Sequence, residues 1–170
     1  MAFKQPCFIR KNTPELRKKL EELGYEANSY ECFWDDENRY IITTIGSNGF
    51  AFYTLCIKNC CILENKEFID CGDNEELFIA LAALRDDSDY MQWFVSLKTR
   101  TKRLSGWFGQ VVGMDGHYKE IVGYEWHRHE NKDNALTERL NAMIQMEVED
   151  MDFLPHKATV EELIEHFKKE

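Results

Sequence analysis

No apolar run in this sequence approaches the roughly 20 residues that a membrane-spanning helix needs. The opening stretch MAFKQPCFIRK has no apolar signal core ahead of its next charges, so the expected location is the cytoplasm. Missing too are the motifs that announce common chemistry: no G-x-S-x-G, no P-loop, no G-x-G-x-x-G and no cysteine in a recognisable protease setting. The three glycines of GWFGQVVG lie in a β context, where glycine marks a bulge or a close backbone approach. The chain is also short of positive charge. Against 31 acidic residues it sets 21 basic ones, for a net charge of −10. A broad basic face for phosphate binding is therefore not expected, and nucleic acid is disfavoured as a partner.

What is present is the material of a globular protein. With 44% hydrophobic and 13% aromatic residues, the chain is too apolar to be disordered. Its 170 residues suit one domain that buries a core without disulfide or metal staples. The six cysteines, Cys7, Cys32, Cys56, Cys60, Cys61 and Cys71, are even in number. Without a secretion signal they are expected as reduced thiols, several of them buried in apolar runs such as FYTLCIKNCCIL. Cys56 and Cys60 are spaced like half a zinc site, but no second pair matches them.

Helix signals recur. In NTPELRKKLEELGY, Thr13 suits the N-cap, Pro14 the first turn and Gly24 the C-terminal stop, with Leu16, Leu20 and Leu23 on one face. In CGDNEELFIALAALR, Asp73 and Glu76 are spaced as a capping box before the most apolar helix of the chain. In KATVEELIEHFKK, Thr159 and Glu162 repeat that spacing, and Leu163, Ile164 and Phe167 face inward. Leu136, Leu140, Met143 and Ile144 mark a further helix in NALTERLNAMIQME. Strands are expected in SYECFW, RYIITTI, FAFYTLCI and EFID, with hairpin turns at DDEN and GSNG. YMQWFVSL fits either period and is read as a strand that pairs with GWFGQVV, leaving KTRTKR as the loop between them. HYKEIVGYEWHR reads as a longer strand. The expected fold is α+β: one domain over residues 1–170, mainly an antiparallel meander with about four amphipathic helices. Any subdivision falls near residues 98–105, and the helix over 159–168 docks after an acidic linker.

The segments CGDNEELFIALAALRDDSDYMQWF and HKATVEELIEHFKK resemble small proteins, of no assigned activity, from phages and mobile elements of gut Bacteroidales. The resemblance implies a cytoplasmic accessory protein of modest size. It brings no activity, cofactor or site residue with it.

Three local patterns carry possible chemistry. In YEWHRHE, His127 and His129 are two apart, so in a strand they would share a face, the geometry of half a metal site. Glu125 would share that face, and His117 stands at the other end of the strand. A third ligand is not evident, and solvated histidines at a strand end are the simpler reading; no cofactor is expected. In RDDSDY, Asp86, Asp87 and Asp89 lack the glycine turn or distal glutamate of a calcium loop and read as a solvated, capping loop. In KTRTKR, Lys98, Arg100, Lys102 and Arg103 lie near Trp107 and Phe108, a pattern that could contact phosphate or a single strand.

Three functions then compete. The first is a non-enzymatic interaction module that binds another protein, or itself as a homo-oligomer, through exposed aromatics. Four tryptophans, seven tyrosines and eleven phenylalanines exceed what one core of this size hides, and aromatics are enriched where partners bind. The second is an acidic mimic of DNA that blocks a nuclease or restriction enzyme. The third is a small metal-assisted enzyme built on His127 and His129. The first ranks highest.

Overall fold

The structure, a computed structural model, describes residues 3–28, 39–46, 50–57, 64, 66–103, 117–133, 136–139 and 155–168. The sequence-predicted strand SYECFW, the segment GWFGQVV, the linker EVEDMDFL, and Cys32, Cys60 and Cys61 lie outside these residues.

Local signals decide the first and last helices. Helix α1 (Pro14–Leu23) starts where the Thr13 side chain accepts the Leu16 amide and ends at Gly24, whose φ of 104° admits glycine readily. Its Leu16, Leu20 and Leu23 are all buried. Helix α3 (Val160–Lys168) begins with a reciprocal capping box. The Thr159 amide donates to Glu162 at 2.8 Å, and the Glu162 amide donates to Thr159 Oγ1 at 3.3 Å. Helix α2 (Glu75–Ala82) departs from expectation. Its cap is Asn74, which accepts the Leu77 amide at 3.0 Å, rather than Asp73. Asn and Asp cap about equally well, so residue type alone could not place the boundary. Residues 136–139 are also helical.

The strands are β1 (Cys7–Ile9), β2 (Glu26–Ala27), β3 (Arg39–Ile45), β4 (Ala51–Ile57), β5 (Ile69–Asp70), β6 (Trp93–Arg103), β7 (His117–Arg128) and β8 (His156–Lys157). A five-stranded sheet runs β2-β4-β3-β1-β5, and a three-stranded sheet runs β7-β6-β8. The expected hairpin of β3 and β4 forms from two runs rich in β-branched and aromatic residues, with Ile45 opposite Ala51. Most pairings are antiparallel, and two short ones, β1 with β5 and β2 with β4, are parallel. The fold is α+β.

The KTRTKR stretch is strand, not loop: β6 runs through it, and its partner is β7 over residues 117–128 rather than GWFGQVV. The physical reason is in the sequence itself. Lys98, Arg100 and Lys102 alternate with Thr99 and Thr101, and β-branched residues at every second position suit a pleated ribbon. The ladder slips once, between Lys98 and Thr99, leaving Val122 as the extra residue of a bulge beside Gly123, whose φ is 147°.

One core unites both sheets. Cys7 and Ile9 of β1, Leu16 and Leu20 of α1, Phe78 and Leu81 of α2, Val95 of β6, and Leu163 and Phe167 of α3 belong to a single buried cluster. Phe8, between Cys7 and Ile9, points to the opposite face and packs with Ile42 and Cys56.

The described cysteines, Cys7, Cys56 and Cys71, are buried thiols outside any disulfide. Cys7 Sγ lies 3.4 Å from Thr43 Oγ1. Contact with the Cys7 thiol, then burial, pushes the Cys71 thiol well above its ordinary value. Since only a thiolate is alkylated quickly, Cys71 should resist iodoacetamide at pH 8 in the native protein and react once unfolded. Peptide mapping by mass spectrometry reads this directly; rapid native labelling of Cys71 would contradict the packing.

Asp89 is not part of a solvated loop. It is fully buried and accepts the Thr137 amide at 2.9 Å and the Thr137 hydroxyl at 2.5 Å. Lys157 of β8 pairs with it at 3.0 Å. The neighbouring Asp86 and Asp87 pair instead with Lys4 and Arg85, each at 2.5 Å.

Candidate functional site

The two histidines of YEWHRHE do not share a strand face, although both line the larger of the two cavities described below. His127, the last residue but one of β7, is exposed and stands opposite Phe94. His129 follows the strand's last residue, so the alternation that would put both rings on one side has stopped. It turns inward instead and is buried. Its amide donates to Gln92 O at 2.9 Å, and its carbonyl accepts the Met91 amide at 2.6 Å. Its Nε2 lies 2.8 Å from Asp133 Oδ1, and its ring meets Phe94 edge-on at 6.4 Å. Among the described residues no group of three or more His, Cys, Asp or Glu is placed to hold a metal ion.

Lys98 and Arg100 are exposed on β6, at alternate positions. In the ladder Arg100 stands opposite Glu120, Lys102 opposite Tyr118 and Arg103 opposite His117. The four cations are thus spread along a strand and do not gather on one mobile loop. Trp107 and Phe108 lie outside the described residues.

What the fold does bring together is aromatic. Residues two apart on a strand share a face, so Tyr124 and Trp126 of β7 point the same way. Helix α3 lies against them, and the His166 imidazole stacks on the Trp126 indole at 4.0 Å with their planes 16° apart. Trp93 of β6 meets Trp126 edge-on at 6.4 Å and Phe167 at 5.7 Å. A cavity of about 770 Å³ opens beside them, with Glu76, Arg128 and Glu130 at its polar rim. Arg128 lies over the Trp93 ring at 5.7 Å. It is held there by Glu76 at 3.2 Å and Glu130 at 2.6 Å.

A second, smaller cavity of about 240 Å³ shares Trp126 and His166 with the first. Its floor is Val95, which pairs with Trp126 in the ladder. One wall is Tyr124 and Trp126; the other is Glu162, Glu165 and His166 of α3. Those helix positions, three and four apart, lie on one face. Glu162 is also bonded by His156 at 2.9 Å. Burial raises its carboxyl, but the Thr159 amide and His156 pull it below the ordinary glutamate value, so it is ionised at neutral pH.

Two apolar side chains of the same strand stand open: Tyr124 is 67% exposed and Val122 42%. Some acidic side chains elsewhere pair with cations, as in Arg10 with Asp70 and Lys11 with Glu75 at 3.1 Å.

Reading the sequence alone picks out neither Trp126 nor His166 as site residues. They are 40 positions apart, and nothing local connects them. The available signal was the surplus of aromatics together with an aromatic placed beside charge in YEWHR. No helix among the described residues is long and apolar enough to cross a membrane. No protein-family model, curated protein or solved structure matches this chain.

Proposed function

We propose that this chain is a non-enzymatic protein-interaction module that takes an extended segment of a partner protein along β7, anchored at the Trp126–His166 cleft. The observation that carries the reading is the company β7 keeps. It is a twelve-residue strand at the edge of its sheet, and among the described residues it pairs on one side only, with β6. An edge strand offers a row of backbone donors and acceptors to an added strand, and pockets beside it select side chains. Tyr124 and Val122 stand exposed on this strand next to two cavities that share Trp126. Aromatic anchors in partly desolvated pockets are where binding energy concentrates.

A random twelve-residue peptide library displayed on phage and panned on the purified protein tests the reading. Binders should be enriched, and Tyr124→Asp should weaken them by about tenfold or more, equivalent to 1.4 kcal/mol. Because Tyr124 is mostly exposed, this change leaves the fold intact, which a thermal melt verifies. A library that yields no binders, or binders indifferent to Tyr124, would remove the proposal.

A further inference from the structure

We infer that the larger cavity is a binding site for a neutral sugar, with room for more than one pyranose ring. Its volume of about 770 Å³ falls within the roughly 300–1,000 Å³ of small-molecule sites. Among the described residues no aliphatic side chain lines it: each lining side chain is an aromatic or imidazole ring, a carboxylate, an amide or a guanidinium. The site goes beyond the docking edge. Trp126 is common to both, but neither Tyr124 nor Val122 lines this cavity.

Hydrogen-bonding capacity is left over around it. The exposed His127 and Asn131 side chains bond to nothing among the described residues, and neither do the His166 ring nitrogens. Arg128 spends three of its five N–H groups on Glu76 and Glu130 and keeps two. The two carboxylates are engaged by that guanidinium, so a ligand cation finds neither of them unshared. An anion would approach two carboxylates served by one arginine. An aliphatic group would take water from the imidazole and amide and return no hydrogen bond. A neutral ligand with many groups that both donate and accept fits, and hydroxyls do both.

Ring geometry separates a sugar from a flat heteroaromatic ligand, which is held best between parallel rings. The near-parallel pair, Trp126 and His166, is closed on itself at 4.0 Å. Trp93 meets its neighbours steeply, Trp126 at 68°, Phe167 at 74° and His166 at 54°. Tilted rings form a corner, not a slot. A pyranose chair presents C–H bonds on its faces and its edges, and polarised C–H bonds are drawn to the negative face of an aromatic ring.

Saturation-transfer difference NMR on the full chain, with maltose, cellobiose, lactose, mannobiose and chitobiose as probes, tests the site. At least one disaccharide should show transfer to its ring C–H protons. The tightest should bind about tenfold better than adenosine, and better than an aldobiouronic acid, which carries a carboxylate on a disaccharide frame. His127→Ala and Asn131→Ala should each weaken it severalfold. Both side chains are exposed, so the fold persists, which a thermal melt verifies. Lys19→Ala, on the exposed face of α1, should leave binding unchanged.

No transfer to any of these sugars overturns the assignment. So does tighter binding of adenosine or of the uronic acid, and so does sugar binding that is indifferent to both His127 and Asn131. Each of these outcomes leaves the docking edge standing, because that reading is decided by Tyr124-dependent peptide binders.

Discussion

Replacing Asp89 with alanine should lower the stability measured by guanidinium unfolding at pH 7 by about 3–5 kcal/mol, the cost of breaking a buried ion pair from one side. Asp89 accepts from donors in two distant parts of the chain, among them the Thr137 amide and hydroxyl and Lys157 Nζ. With it gone, Lys157 faces only the Arg85 and Ser88 carbonyls, at 3.4 and 3.2 Å, and the Thr137 amide loses its acceptor. Asp89→Asn should cost less, because an amide oxygen still accepts from Thr137. The pH dependence has a definite sign. Burial pushes the Asp89 carboxyl up, but the Thr137 hydroxyl and amide and the Lys157 ammonium outweigh it, and the net value is lowered. A carboxyl with a folded pKa below its unfolded value of about 3.9 contributes fully above that value and loses its contribution as pH falls through the folded pKa. The gap between wild type and Asp89→Asn should therefore be widest near neutral pH and narrow below about pH 4. A gap that stays constant to pH 3 would show that the charge on Asp89 contributes nothing.

Leu163→Ala should cost about 2–5 kcal/mol, the range for emptying a buried leucine site that cannot collapse. Leu163 is fully buried, and with Phe167, one turn further on, it fixes α3 to α2. The Asn74 side chain adds a polar tie, donating to Phe167 O at 3.2 Å. Leu163→Met, which nearly conserves volume, should cost less than about 1.5 kcal/mol. A cost below about 1 kcal/mol would mean that α3 is not part of the cooperative unit.

The contrast between what the chain announced and what it concealed follows from range. The caps of α1 and α3 are written within four residues, and both formed where Thr13 and Thr159 placed them. The β3–β4 hairpin is equally local: two runs rich in β-branched and aromatic residues flank GSNG and pair with each other. The errors arise where two local readings were equivalent or where the partner was remote. Asp73 and Asn74 are nearly equal as caps, and only the path of the chain chose between them. Basic charge in KTRTKR suggested solvation, but the strand is fixed by residues 117–128, beyond the reach of local pattern. Asp89 looked like one more acid in a polar run because its partners, Thr137 and Lys157, are 48 and 68 positions away. The candidate site was legible only as a surplus of aromatics, since the stack of His166 on Trp126 depends on α3 docking across the sheet.

The position of β8 and α3 in the chain bears on how the protein is made. Ala158, Leu163 and Phe167 complete the same core that receives Phe78, Leu81 and Val95. At about 5–20 residues per second, the ribosome delivers Leu163 on the order of ten seconds after Val95. During that interval the Trp93 indole and the inner face of α2 are denied the surface that later covers them, and a nascent chain in this state is a substrate for chaperones. Mutations that slow the docking of α3 would thus reduce yield in the cell out of proportion to their effect on the finished molecule.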